Sequence, residues 1–419
     1  MGLKVDSICL QGGWQPKNGE PRMLPIYQST TYKYDTSEEM GALFDLEKEG
    51  YFYSRLQNPT CDVVASKICQ LEGGAAAMLT SSGQAATMLA ITNICEAGDH
   101  VICGAKCYGG TSNLLTVTLK RFGLETTLVD QDAPAEELEK AFRPNTKAVF
   151  AETISNPAGV ILDIEKFVKL AHDHGVPMIC DNTFATPINC RPFEWGVDIV
   201  THSTTKYMDG HAMAVGGAIV DSGNFDWMAH KDKFPGLTTP DESYHGIVYA
   251  EKFGKAAYIT KATAQLMRDM GACQSPQNAF LTNIGLETLH LRVPRHCENA
   301  TKVAAFLKNH PKVAWVEYAG LPGDKYYDLA QKYMPKGVCG VLCFGPKGGR
   351  DGALRFTNAL KMVAIETHVA DAKSCVLHPA SHTHRQLNDE QLAEAGVLPD
   401  LIRLSVGIED ADDIIADLD

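Results

Sequence analysis

The sequence predicts an α/β protein with a mostly parallel central sheet in its larger part and a smaller α+β part after it. Three observations predict this. Between about residues 73 and 220, short apolar runs alternate with stretches of helical period, the pattern of βα units. The apolar runs are only four to eight residues long and read as buried strands rather than helices. After the alternation stops, a long helical stretch leads into a second set of strand candidates.

Taken in order, residues 1–62 are rich in Tyr, Thr and Pro and read as an extended arm. Residues 63–290 form the large part. Its strand candidates are AAAMLTSS, HVICGA, ETTLVD, KAVFAET, VPMICDN, DIVTHS and GGAIVD, with helical patterns such as GQAATMLAITNICEAG and IEKFVKLAHDHG between them. GGTSNLLTVTLKRFG, PAEELEKAF and IEKFVKLAHDHG each end near a Gly or Pro stop. Residues 223–262 interrupt the alternation and read as a loop-rich insertion. Residues 291–419 form the α+β part, with strand candidates VAWVEYAG, GVLCFG and IRLSVG.

Composition removes several functions. The chain has 419 residues, 45% of them apolar, which suits a large core. A net charge of −13 without a basic cluster argues against nucleic acid and anionic membrane. No run reaches the roughly 18 apolar residues of a membrane span. The N-terminus, MGLKVDSICLQGGWQP, lacks the apolar core of a secretory signal. Thirteen scattered cysteines without a CxxC pair read as free thiols in a reducing cytoplasm. In HPASHTH, His378, His382 and His384 imitate a metal site, with the last two on one face of a strand. No acidic or cysteine ligand is close in sequence, and no metal is expected.

Ligands of parallel sheets collect at the carboxyl ends of the strands, and three such ends are unusual here. Ser81-Ser82-Gly83-Gln84-Ala85-Ala86 opens a helix, whose first N–H groups suit a phosphate. Asp181-Asn182-Thr183 sets a carboxylate directly after four apolar residues, where burial demands a cation or donors. Ser203-Thr204-Thr205-Lys206 offers hydroxyls and an amine whose pKa would fall on desolvation. Each has an ordinary alternative: a helix cap for the serine, a turn for the aspartate, a solvated lysine. Together they call for one ligand with a phosphate, a cationic ring nitrogen and an aldehyde. Pyridoxal 5′-phosphate (PLP) has all three. Arg403, in the apolar pattern LIRLSV, needs an anionic partner.

SSGQAA, CYGGT, AETISNPAG, DNTFATP, HSTTKY, DAKSCVLHPASHTH and RLSVGIED resemble the Cys/Met-metabolism PLP enzymes, nearly end to end from YSRLQNPT onward. KFPGLTTPDESYHG, LRVPRHCENA, FGPKGG and DLIRLSVGIEDADDI are most similar to the O-acetylhomoserine sulfhydrylase branch. The resemblance implies the fold-type I PLP transferase architecture and a γ-replacement reaction. In it, sulfide or methanethiol displaces acetate from O-acetylhomoserine. It implies that Lys206 holds PLP and shuttles protons, Asp181 pairs with the ring nitrogen, and Tyr108 stacks on the ring. Asn156 would meet the ring hydroxyl. The phosphate would lie against Gly83, Gln84, Ser203 and Thr205, with Ser82 and Thr183 alongside in the cofactor set. Tyr53 and Arg55 would reach a neighbouring subunit's cofactor, in a homotetramer of paired dimers. Tyr53 and Asn156 also belong to the substrate set, and Arg403 would clamp the substrate carboxylate with help from Ser374. A γ-lyase, a cystathionine γ-synthase type enzyme, or a silent PLP-binding or assembly protein on the same scaffold are the alternatives. Two stretches depart from the family pattern: Asp209 stands where relatives favour a small residue, and AIETHVAD precedes AKS, where it could line the substrate pocket.

Overall fold

The computed structural model of the chain describes residues 2–157, 159–383, 385, 392 and 397–419. Seven strands make the central sheet: β1 (Ala76–Thr80), β2 (His100–Gly104), β3 (Glu125–Val129), β4 (Thr146–Glu152), β5 (Met178–Asp181), β6 (Ile199–His202) and β7 (Gly217–Asp221). Each lies in one of the seven apolar runs. Their order is β1-β7-β6-β5-β4-β2-β3. The block from β6 to β3 is parallel, whereas β7 runs antiparallel to both β1 and β6. Helices cover both faces, so β2, β6 and β7 are buried along their whole length.

This topology brings three strand ends together. Register pairs Glu152 with Asp181, and Asp181 with Thr201, so the carboxyl ends of β4, β5 and β6 form one edge. The carboxyl end of β1 joins that edge through Thr80, which pairs with Gly217. Helix α4 (Gly83–Thr92) starts directly after it, capped by Ser82. Helix α3 (Pro59–Glu72) packs behind β1 and β7. Asn58 caps its start, Pro59 occupies the first turn, and left-handed Gly73 ends it.

The second sheet has the order β10-β11-β12-β9-β8, built from β8 (Val313–Glu317), β9 (Val341–Pro346), β10 (Ala364–Ile365), β11 (Cys375–Leu377) and β12 (Ile402–Ser405). The long helix Leu289–Asn309 lies against it, and Val303, Leu307, Leu342, Phe344, Ile402 and Leu404 form its core. Strands β10 and β11 escaped the sequence because two and three residues carry no readable period.

Three expectations need correction. The first 62 residues are not irregular throughout: α1 (Val5–Gln11) and α2 (Ser37–Phe44) lie in them. Ile8 and Cys9 are buried, which docks α1 on the body of the protein. The segment 223–262 is a chain of short helical turns around aromatic rings rather than loops. Trp227 stacks on Tyr258 at 5.6 Å and meets Phe234 edge-on at 5.0 Å. Lastly, His378 and His382 flank a helical turn, not a strand; His378 places its ring nitrogens against Ser381 Oγ and the Pro399 carbonyl. His384 lies outside the described residues. All 13 cysteines are free thiols, and no described helix is long and apolar enough to cross a membrane.

Candidate active site

The edge formed by β4, β5 and β6 gathers the chemistry. Asp181 ends β5 and is half-buried as a residue. Oδ1 accepts the Thr183 N–H at 2.9 Å, and burial pushes the acid's pKa up against the lowering effect of Thr183 and His202. A carboxylate raised by desolvation is one that a neighbouring cation would return to its charged form.

Ser203 follows β6, and its N–H donates to Thr183 Oγ1 at 2.8 Å. The start of α4 sits hard against it: a Cβ on Gly83 would meet the Ser203 Cβ at 2.6 Å. Only glycine allows this approach. Ser82 Oγ accepts the Ala85 N–H at 3.1 Å, and the Gln84 side chain turns aside to the Gly110 carbonyl at 2.9 Å. The backbone N–H groups of Gly83 and Gln84, at the first turn, have no acceptor within the helix. Thr205 is more committed: its Oγ1 joins both the N–H and the carbonyl of Gly216.

Lys206 stands in the turn after β6. Burial first, then the charge of Arg403, lowers its pKa from 10.5 to about 8. Its Nζ is 3.5 Å from Nδ1 of His368. Asp209 closes the turn beyond it, its Oδ2 accepting the N–H groups of His211 and Met213. Its other oxygen is buried without a partner.

Arg403 reaches the same cleft from β12 of the second sheet. It is only 6% exposed, and burial lowers its pKa. Nη1 donates to Asn156 Oδ1 at 3.1 Å, and Nη2 to the carbonyls of Thr367 and His368 at 3.1 and 3.2 Å. Its Nε is buried and unpartnered. A buried guanidinium held by neutral acceptors alone, with one donor unused, fits an incoming carboxylate.

Sequence reasoning missed Glu152. This buried acid ends β4, and its two oxygens accept the N–H groups of Tyr108 at 2.8 Å and Asn156 at 3.1 Å. It thereby sets both residues relative to the sheet, while Tyr108 as a residue stays 49% exposed. A glutamate ending the run KAVFAE was the available signal. Also missed was the buried group behind Asp181: Glu72 Oε1 meets His202 Nε2 at 2.6 Å and Asn182 Nδ2 at 2.9 Å, tying α3 to β5 and β6.

The remaining expected residues have other partners within the chain. Ser374 is buried, its hydroxyl accepting the Gly407 N–H at 2.8 Å and meeting Glu409 at 3.0 Å. Tyr53 and Arg55 line a separate cleft of about 1660 Å³ beside the N-terminal arm, whose lining lacks Lys206. Arg55 lies over the Tyr53 ring and donates to the Arg268 carbonyl.

A desolvated acid at a strand end, an open helix start held against Ser203 and a low-pKa lysine suit a pyridine nitrogen, a phosphate and an aldehyde. That combination defines the class, an α/β protein fitted for PLP. A sequence model of the Cys/Met metabolism PLP-dependent enzymes matches residues 6–419, and the chain belongs to that family. It is 46% identical over 432 residues to a homocysteine/cysteine synthase of Saccharomyces cerevisiae, covering 100% of this chain and 97% of the relative. To an O-acetyl-L-homoserine sulfhydrylase of Leptospira meyeri it is 44% identical over 427 residues, covering 100% and 96%. A crystal structure from Campylobacter jejuni, assigned as an O-acetylhomoserine (thiol)-lyase and containing N'-pyridoxyl-lysine-5'-monophosphate, superposes with a TM-score of 0.95. It shares 39% identity over 99% of both chains.

Proposed function

We propose that the chain catalyses γ-replacement on O-acetyl-L-homoserine: sulfide displaces acetate to give L-homocysteine, and methanethiol in its place gives L-methionine. One observation carries the reading. A half-buried, low-pKa lysine and a buried arginine with an unused donor meet around His368, in a chain similar to O-acetylhomoserine sulfhydrylases along its whole length.

Bound PLP supplies an aldehyde that amines can join and a protonated ring that draws electrons from the substrate's Cα. The residues that would hold it are Lys206 at the aldehyde, Asp181 at the ring nitrogen, and Gly83, Gln84 and Ser203 at the phosphate, with Ser82, Thr183 and Thr205 nearby. Tyr108 offers its open ring for stacking, and Asn156 its amide for the ring hydroxyl. Arg403 fixes the substrate carboxylate and so aligns the Cα–H bond. A pKa of about 8 leaves part of the Lys206 amine neutral at neutral pH, ready to take that proton at Nζ.

The site takes small molecules. Tyr53 and Arg55, away from Lys206 in their own chain, serve the site of a second copy in a homotetramer of paired dimers. The chain divides into an arm (1–62), a cofactor-binding domain (63–290) and a C-terminal domain (291–419), and thirteen free thiols suit the cytoplasm.

The test is to incubate the PLP-loaded enzyme with O-acetylhomoserine, with and without sulfide. Sulfide-dependent homocysteine is expected. Release of 2-oxobutyrate at the same rate in both arms would replace this reading with a γ-lyase.

A further inference from the structure

His368 lies in AIETHVAD, after the two residues of β10 that open this stretch and before β11. Its imidazole meets the Lys206 amine, Nδ1 to Nζ, at 3.5 Å. Its other ring nitrogen, Nε2, is buried and has no partner. A buried polar atom left alone is costly, so its occurrence beside a reacting amine calls for an explanation.

We infer that His368 is a catalytic residue that donates a hydrogen bond from Nε2 to the acyl oxygen of the departing carboxylate, with its tautomer set by Lys206. The inference rests on the γ-replacement reading. Once Lys206 has taken the Cα proton, Nζ is an ammonium and can only donate. Nδ1 must then present its lone pair, which places the single imidazole proton on Nε2. The same event that starts the elimination thus arms the donor that assists its end. The protons balance: Nζ passes the Cα proton on to the conjugated cofactor and then takes the Cβ proton, which it holds while the Cγ–O bond pair leaves with acetate, and Nε2 keeps its hydrogen while sharing it.

The surroundings keep His368 neutral. Burial, Lys206 and Arg403 lower its pKa, against the opposing charges of Asp371 and Asp209. The Cys375 thiol, which donates to the His368 carbonyl at 3.2 Å, is held protonated, its pKa pushed up to about 12 by burial. A neutral imidazole is a donor by virtue of its tautomer, not its charge. The loop is also linked to substrate arrival. Arg403 Nη2 holds the carbonyls of Thr367 and His368, and a carboxylate competes for those hydrogens, freeing the ring to turn.

The experiment compares the PLP-loaded wild type with His368→Asn and His368→Leu. Asparagine keeps an acceptor near the Nδ1 position but has nothing at Nε2. Three quantities are read: the pH titration of the cofactor's visible absorbance, exchange of the α-hydrogen of norleucine in D2O, and turnover of O-acetylhomoserine with sulfide. For His368→Asn, absorbance titration and exchange should stay within about twofold of wild type while turnover falls at least about tenfold, as for loss of one donor to a developing oxyanion. His368→Leu should also slow exchange, because Lys206 loses its acceptor. Equal turnover by wild type and His368→Asn, or exchange falling in step with turnover, overturns the inference and leaves the γ-replacement reading standing. A wild type that exchanges norleucine but does not consume O-acetylhomoserine overturns the reading itself.

Discussion

Arg403 Nη1 donates to Asn156 Oδ1 at 3.1 Å across 247 residues of sequence, joining the second sheet to the edge of the first. The bond pins the guanidinium over the cleft, and the carbonyls of Thr367 and His368 fix its other arm. Lysine keeps the charge but cannot present a planar fork. Arg403→Lys should therefore lower kcat/KM for O-acetylhomoserine about a hundredfold, the scale of about 3 kcal/mol for a lost bidentate charge-assisted pair. The analogue lacking the carboxylate, 3-aminopropyl acetate, should bind both enzymes equally weakly, measured as competitive inhibition. A similar loss for both ligands would show that the arginine holds the fold and not the carboxylate.

Asp181 makes function and stability pull apart. Its carboxylate is desolvated, with the hydroxyl and N–H of Thr183 as its partners in the cofactor-free protein. Asp181→Asn removes a buried charge while keeping the shape, so the Tm of the cofactor-free protein should stay level or rise. Turnover should fall by about a hundredfold or more, because an amide does not keep a ring nitrogen protonated. Scanning calorimetry of the cofactor-free forms beside steady-state rates of the loaded ones checks both halves. A fall in Tm by several degrees would mean that the carboxylate is structural.

How much of this was legible in the sequence follows from range. The seven strands were readable because they fall in short, mostly apolar runs set between helical patterns, a local signal; β3 (ETTLV) is the most polar of them. Lys206, Asp181 and the start of α4 were readable as a set because parallel topology puts strand ends on one edge. Glu152 showed only as an acid ending an apolar run; its role was not readable, since its partners are the N–H groups of Tyr108 and Asn156, and backbone groups leave no mark in a sequence. His202 and Glu72 meet across 130 residues, which no local pattern reports. The insertion misled because its Gly and Pro residues read as loop, whereas its Trp, Phe and Tyr rings pack as a core.

Glu152 should act as a positioning residue. Two N–H groups need two acceptors, and glutamine offers one oxygen and an NH2 that would face the second donor. Glu152→Gln should detach either Tyr108 or Asn156 from β4, costing about 1–3 kcal/mol of stability. Denaturant melts would measure this. Because Tyr108 is assigned to the cofactor ring, PLP affinity should weaken as well, seen as a faster loss of visible absorbance on dilution. Burial raises the Glu152 pKa, helped by Cys107 and Asp181. Its stabilising share is thus full at low pH and lost as pH rises through the folded value, and the penalty of Glu152→Gln should shrink as pH rises. A penalty that grows with pH would contradict the assignment.

Lys206 gives the sharpest pH signature. In the cofactor-free fold its pKa is about 8, against 10.5 for an ordinary lysine, with burial the main cause and Arg403 the second. Between those values the unfolded chain binds a proton that the folded chain does not. Stability must therefore rise with pH across the window, since its slope follows the excess of protons on the unfolded state. Below pH 8 both states carry the proton and the penalty of burying it is full; above 10.5 neither does and the penalty is gone. Lys206→Met removes the titration without opening a cavity. The stability difference between Lys206→Met and wild type, from denaturant melts of the cofactor-free proteins, should be largest and flat below pH 8, then close steadily. Parallel profiles through the window would mean that the amine is ordinary, and with it would go the assignment of Lys206 as the base at Cα.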